Sequence, residues 1–271
     1  MLDKLAQIEK LLNKGNFKKA LVLLVKVNKS SSSQTFTTLN WQAICLFEDK
    51  KWILAKSIWQ QALVLTGNPK QKVDVLWRIA QCLELLGDLV EAKDILLHSL
   101  SLDDSVNNIN ARMKLCELCS KISDYETVEV FGQKLLSYQA SFFPALTLLI
   151  DSAVKSFNKA LAISRLQQMA KQKENINEPQ IAYITHNYIK LNEYSKADDY
   201  LKSISTPFKQ PLWYCLLNSI LLLQKKKYKE VILLLEERDT SELPSWFGED
   251  ELFFVTLGKA YDKLAFYQKS F

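Results

Sequence analysis

Glycine and proline, the residues that most readily reverse a chain, number only six each in 271 residues. A β-sandwich or a doubly wound α/β protein of this length needs more turn formers, so long helices joined by short loops are expected. Histidine is scarcer still. His98 and His186 are the only two, and they are too far apart in the chain to suggest a catalytic dyad. The sequence has no glycine-rich phosphate loop, no His-Glu-x-x-His and no Gly-x-Ser-x-Gly. It also has no long apolar run. The most apolar stretch, Leu216–Leu223, is interrupted by Asn218 and Ser219 and falls far short of the roughly twenty residues that span a bilayer. The opening Met-Leu-Asp-Lys carries no apolar signal core. No membrane insertion is expected.

What is present is equally bland as chemistry. Five cysteines make an odd number without framework spacing, which points to a reducing, cytoplasmic compartment. Cys116-Glu-Leu-Cys119 has the spacing of half a zinc site, but no second pair and no nearby histidine completes four ligands. On a helix these two cysteines read as packing residues, as do Cys45 and Cys82. Lys plus Arg exceed Asp plus Glu by 35 − 30 = 5. The excess is lysine scattered over helix faces, which argues against a nucleic-acid stripe. No metal, no cofactor and no catalytic residues are expected, and the chain does not read as an enzyme.

One six-residue frame recurs along the chain. It reads Gly15-Asn-Phe17-Lys-Lys-Ala20, then Lys50-Lys-Trp52-Ile-Leu-Ala55, Gly87-Asp-Leu89-Val-Glu-Ala92 and Ser123-Asp-Tyr125-Glu-Thr-Val128. It continues as Lys155-Ser-Phe157-Asn-Lys-Ala160, Asn192-Glu-Tyr194-Ser-Lys-Ala197, Lys226-Lys-Tyr228-Lys-Glu-Val231 and Ala265-Phe-Tyr267-Gln-Lys-Ser270. Successive starts lie 35, 37, 36, 32, 37, 34 and 39 residues apart. The third slot is aromatic in seven of eight copies in a chain that is 11% aromatic, where chance gives about one. The sixth slot is always Ala, Val or Ser. The frame reads as a turn entering a helix, with a ring filling the gap between two helices and a small residue letting their backbones approach. Helical spacing precedes it, as in Leu76, Ile79, Ala80 and Leu83, and follows it, as in Leu96, Leu97 and Leu100.

Two helices per period of about 34 residues resemble the tetratricopeptide repeat. The strongest copies are Leu76…Ile79-Ala80…Leu83…Gly87-Asp88-Leu89…Ala92 and Phe254…Leu257-Gly258…Tyr261…Tyr267. The fifth copy, with Pro144 and Asp151 at normally apolar slots, and the seventh depart most. The resemblance implies an all-α, right-handed superhelical α-solenoid of about eight helical hairpins, the last one incomplete. It implies one array over 1–271, with repeats at 1–35, 36–72, 73–108, 109–140, 141–177, 178–211, 212–250 and a partial 251–271. Lys29–Ser33 and Thr66–Pro69 are expected as inter-repeat loops, and Gln172–Pro179 and Thr240–Glu249 as longer ones.

In that family the first helices line a concave groove that holds a partner segment. Carried over by position, the groove-facing residues are Asn40, Ile44 and Phe47, then Asp74, Trp77, Gln81 and Glu84, then Asn110, Met113 and Glu117. Ala182, His186, Lys190, Trp213 and Ile220 follow. Trp77 and Phe47 are expected as exposed anchors, and Trp59 as core. The family's chaperone-tail clamp is not expected, because its slots hold Leu5, Glu9, Trp41, Asp74 and Arg78, of which only Arg78 fits. The implied function is a non-catalytic scaffold or adaptor holding a protein or peptide segment. Alternatively, Leu252–Leu264 resembles the last repeat of bacterial proteins that join such arrays to a sulfotransferase domain, which would make the chain a recruiting module of a longer enzyme.

Overall fold

The computed structural model describes residues 2–29, 34–103, 108–172, 176–204, 211–248 and 250–269. Among them are fifteen α-helices and no strand. In chain order the helices are α1 (Leu2–Asn13), α2 (Phe17–Val27), α3 (Phe36–Glu48), α4 (Trp52–Leu65), α5 (Pro69–Leu86), α6 (Leu89–Leu102), α7 (Ile109–Lys121) and α8 (Tyr125–Tyr138). They continue as α9 (Phe143–Lys155), α10 (Lys159–Ala170), α11 (Glu178–Lys190), α12 (Tyr194–Ser203), α13 (Leu212–Gln224), α14 (Tyr228–Leu235) and α15 (Asp250–Lys269).

Each odd-numbered helix from α1 to α13 ends in the same reversal. One residue adopts a left-handed backbone: Gly15, Lys50, Gly87, Ser123, Phe157, Asn192 and Lys226, with φ between 58° and 89°. The next N–H then bonds the carbonyl five residues back, from Asn16 to Leu11, Lys51 to Leu46, Asp88 to Leu83, Asp124 to Cys119, Asn158 to Ala153, Glu193 to Tyr188 and Lys227 to Leu222, at 2.8–3.0 Å. This is the six-to-one bond of a Schellman end, and it satisfies a carbonyl the helix would otherwise leave open. Five of the seven left-handed residues are not glycine. Each of those positions therefore carries a penalty of about 1–2 kcal/mol that hairpin packing must offset.

The reversal fixes which side chains meet. The sixth residue of each frame, counted from the left-handed one, is Ala20, Ala55, Ala92, Val128, Ala162, Ala197 or Val231, and every one is fully buried. Seven residues before the turn stand Ile8, Ala43, Ala80, Cys116, Ile150, Thr185 and Ser219, all buried as well. In copies two, three, four, six and seven both positions hold compact side chains, Ala, Cys, Thr or Ser against Ala or Val, whereas the first and fifth copies carry Ile8 and Ile150. In the fourth copy Cys116 Sγ lies 3.9 Å from the carbonyl oxygen of Val128.

The fifth frame is corrected by this geometry. Its left-handed residue is Phe157, two positions later than the frame beginning at Lys155. The spacings become 35, 37, 36, 34, 35 and 34 residues. The buried small residue is Ala162 while Ala160 is exposed, and Phe157 is 94% exposed rather than wedged between helices. In this register Pro144 is exposed and Asp151 half-buried, so neither occupies a buried core slot.

Of the eighth copy, one helix, α15, is described. The frame beginning at Ala265 is not a turn, because α15 runs through it to Lys269, and Ser270 lies outside the described residues. Among the expected loops, Ser30–Ser33 and residues 173–175 also lie outside them. Pro69 belongs to α5, whose N-cap Asn68 accepts from the Lys70 N–H at 3.0 Å. Pro179 belongs to α11, which opens on a reciprocal Asn177–Gln180 capping box. The stretch from Thr240 holds one 3-10 turn, Thr240–Glu242.

The chain forms two compact units, Met1–Ser152 and Ala153–Phe271. In the first, each helix from α2 to α7 packs chiefly on its neighbours in sequence. In the second, α10 to α15 do the same, and α13 additionally packs against α11 and α15.

Two outcomes follow from the frame. Ala92→Trp should lower unfolding stability by roughly 1–3 kcal/mol, because a ring at the closest helix approach overpacks it; a urea midpoint equal to that of the parent would remove Ala92 from the contact. Phe157→Gly should raise stability by about 1 kcal/mol by relieving the left-handed residue while removing only exposed ring surface, read by the same titration.

Candidate groove between the first helices

Among the first helices of the seven hairpins, α5 is the long one. It has 18 residues, whereas α3, α7, α9, α11 and α13 have 13. The added turn is at its N-terminus, where Asn68 caps and Pro69 takes the first helical position, whose N–H needs no partner. That turn adds Lys70 ahead of Val73 and Asp74, which stand in register with Ile109 and Asn110 at the start of α7. Between it and the beginning of α7 lies a cavity of about 470 Å³, lined by Lys70, Val73, Asp74 and Trp77 on one side and Asp103, Asn108, Asn110 and Ala111 on the other. Asn108 Nδ2 donates to the Asp103 carbonyl at 2.6 Å and ties that wall together.

The other end of the α5–α7 gap is closed by charge. Glu84 on α5 pairs with Lys114 at 2.8 Å and Lys121 at 2.7 Å, both on α7, and Lys114 also reaches Glu117 at 3.2 Å. Burial alone would raise the Glu84 pKa, but hydrogen bonds from the two lysines outweigh it and hold the carboxyl below its usual range. Opposed effects hold Lys114 above its usual value: burial lowers it, while Glu84 and Glu117 raise it by more.

The structure therefore brings together Asp74, Trp77 and Asn110 on one cavity, with Trp77 half-buried in its wall. Glu84 and Glu117 belong to the ion cluster. Ile44, Gln81 and Met113 are half-buried on their helices. Asn40 and Phe47 point to the second hairpin's own core: Trp59 Nε1 donates to Asn40 Oδ1 at 2.9 Å, and the Phe47 and Trp59 rings sit 5.8 Å apart at 55°. Trp59 is fully buried, in keeping with its reading as core.

In the second unit, His186 is half-buried and Lys190 exposed on α11, and Ile220 is half-buried on α13. Ala182 and Trp213 are not groove residues. Both are buried, because α11 and α13 pack directly on one another there. Trp213 Nε1 donates to Glu178 at 3.0 Å, and its ring meets Trp246 at 6.1 Å. The signal missed in the sequence was Asn68-Pro69, an N-cap and first-position pair that lengthens α5 by a turn.

No protein-family model matches the sequence, and no curated protein matches it. Solved structures do match its fold. A tetratricopeptide repeat protein from Parabacteroides merdae superposes with a TM-score of 0.58 at 13% identity, over 96% of this chain and 98% of that one. The C-terminal part of a tetratricopeptide repeat-containing protein from Cytophaga hutchinsonii gives 0.56 at 13% identity, over 88% and 99%. YrrB, described as a tetratricopeptide repeat protein with an unusual peptide-binding site, gives 0.50 at 16%, over 62% and 84%. This chain has the tetratricopeptide-repeat fold.

Arg78, the one residue matching the chaperone-tail clamp, lies over the Trp59 ring at 5.7 Å and pairs with Asp74 at 3.5 Å. Nothing in these comparisons bears on a sulfotransferase. All five cysteines are buried. Burial pushes the thiol pKa of Cys116 up to about 12 and those of Cys45, Cys82 and Cys119 to about 11, so these are inert packing groups. Among the described residues, no group of three or more His, Cys, Asp or Glu gathers as a metal site would require. No described helix is long and apolar enough to cross a membrane.

The Glu84 cluster has a pH signature. A carboxyl whose folded pKa is depressed adds stability above the unfolded value of about 4.3, and that stability disappears as pH falls through the folded pKa. Glu84→Gln should therefore lower the urea midpoint at neutral pH, by at most about 1 kcal/mol for so partly exposed a pair of bridges. At acid pH, with Glu84 itself protonated, variant and parent should coincide. An equal gap at both pH values would show that the loss comes from packing.

Proposed function

We propose that this chain is a non-catalytic interaction module, and that it holds a segment of another protein between α5 and α7 with Trp77 as the anchor. The observation that carries the reading is the cavity of about 470 Å³, where an indole is rimmed by Asp74, Asn108 and Asn110. An apolar anchor ringed by hydrogen-bonding groups is the anatomy of a recognition hot spot. The pocket lies between first helices, and the ion cluster around Glu84 confines it to their N-terminal halves. The peptide-binding site named for YrrB supports the same use of the fold. Five buried thiols suit a reducing, cytoplasmic setting.

Panning a random-peptide library on the folded protein tests this. Selected peptides should bind Trp77→Ala about tenfold or more weakly, while that variant keeps its helical spectrum and nearly its melting temperature. Peptides that bind parent and variant alike would remove Trp77 from the site. A melting temperature that collapses in Trp77→Ala would make the indole a core residue instead.

A further inference from the structure

The two units carry different charge on their turns. Around the four turns of Met1–Ser152, the stretches from two residues before each left-handed residue to four after it hold six lysines and six carboxylates. Around Phe157, Asn192 and Lys226, in Ala153–Phe271, the same stretches hold eight lysines against only Glu193 and Glu230. Both of those carboxylates are already bridged, Glu193 by Lys196 at 2.7 Å and Lys159 at 2.9 Å, and Glu230 by Lys227 at 2.8 Å. Asp198, just past the second stretch, is taken up by Lys202 at 2.5 Å and Lys225 at 2.8 Å. Two of these bridges run between hairpins, Lys159 to Glu193 and Lys225 to Asp198, so the three turns stand side by side on one edge of the unit. That edge carries a positive excess that its own carboxylates do not offset.

An aromatic ring stands among these lysines. In the other six copies the large apolar residue lies two places after the left-handed one, where Phe17, Trp52, Leu89, Tyr125, Tyr194 and Tyr228 are each half-buried. In the fifth copy Lys159 takes that place, and Phe157 takes the left-handed one. Its ring sits between exposed Lys155 and Lys159 with 94% of the residue open to solvent. No other described ring is as exposed. A bulky residue is penalised in that backbone conformation, and this one packs on nothing, so folding does not account for a phenylalanine at the tip.

We infer that the turn edge of Ala153–Phe271 docks on an anionic lipid surface, with Phe157 dipping among the headgroups and the lysines around it facing their acidic groups. A single apolar anchor holds a protein to a membrane only marginally, and stable association takes a second signal such as a basic patch. Here both signals share one edge. Lysines attract an anionic leaflet over a short, salt-dependent range, and their long stems let the ammonium groups of neighbouring turns reach one flat surface. A ring that projects from a tip suits a layer of headgroups, which yields around it, whereas an acidic protein segment would need a pocket shaped to receive it. The contact is peripheral, since no described helix is long and apolar enough to cross a membrane. It does not depend on the α5–α7 cavity or on what occupies it.

Cosedimentation with vesicles of phosphatidylcholine, with and without phosphatidylserine, tests the docking. The parent should pellet with the phosphatidylserine vesicles, stay in solution with the others, and be released as salt is raised. Phe157→Gly should bind about fivefold or more weakly, even though that variant should be the more stable fold. Lys226→Glu with Lys229→Glu should weaken binding about tenfold or more. Lys18→Glu with Lys19→Glu, an equal change of charge at a turn of the first unit, should leave it nearly unchanged. A parent that does not pellet with phosphatidylserine vesicles overturns the docking. So does retention that ignores Phe157→Gly or falls equally with both lysine pairs. Equal binding of parent and Phe157→Gly to soluble polyglutamate, with none to vesicles, would assign the edge to an acidic protein segment instead.

Discussion

The hydrogen bond that spans each left-handed turn is the constraint on which the rest of the structure depends. It reverses the chain at a single residue and closes the carbonyl that the preceding helix would leave open. By fixing the turn length, it fixes the spacing between the buried residue seven places before it and the buried residue five places after it. Once those backbones are close, each hairpin buries one face internally and offers the other to its neighbour. Stability in such an array is a sum of hairpin terms and nearest-neighbour interfaces. That is why five turns tolerate a non-glycine residue in the left-handed region: two packed helices hold each one there.

Much of this was legible in the residues, because the frame repeats a turn, a ring and a small side chain. Where the frame misled, it did so through mimicry. Phe157 supplied an aromatic and Ala160 a small residue at the right spacing, two positions out of register. The buried Ile150 and Ala162 show the true alignment, and a search weighted on the paired small slots would have found it. The candidate groove was partly legible too. Asp74, Trp77 and Asn110 line one cavity, but the extra turn of α5 depends on capping chemistry, and the ion cluster on rotamers that periodicity does not encode. Trp213 was misplaced for a longer-range reason. Its cover includes Trp246, from a stretch that reads as loop, together with the close packing of α11 on α13.

The two units use their first helices differently. In Met1–Ser152 the α5–α7 gap is lined and partly charged. In Ala153–Phe271 the corresponding helices pack on each other, and their large side chains are withdrawn into the interior. The difference lies in the side chains, since the turns are the same in both. The α13 face carries Leu212, Trp213, Leu216 and Leu217, all buried, whereas α5 presents Asp74 and Lys70 at the equivalent end.

The tenth residue of each frame shows how far the copies have diverged. It is Leu24, Leu96, Leu166, Leu201 and Leu235 in five copies, but Trp59 in the second and Gly132 in the fourth. Trp59 fills a chamber walled by Asn40, Phe47 and Arg78. At Gly132 the space is taken by Leu149 of the next helix, 2.8 Å from where a Cβ would stand. Volume lost in the fourth hairpin has been supplied by its neighbour, so that interface is matched to one partner. The hairpins are alike in backbone and individual in fit. They cannot be deleted, duplicated or shuffled as interchangeable bricks, and a chimaera that moved the second or fourth would carry a collision or a void to its new position.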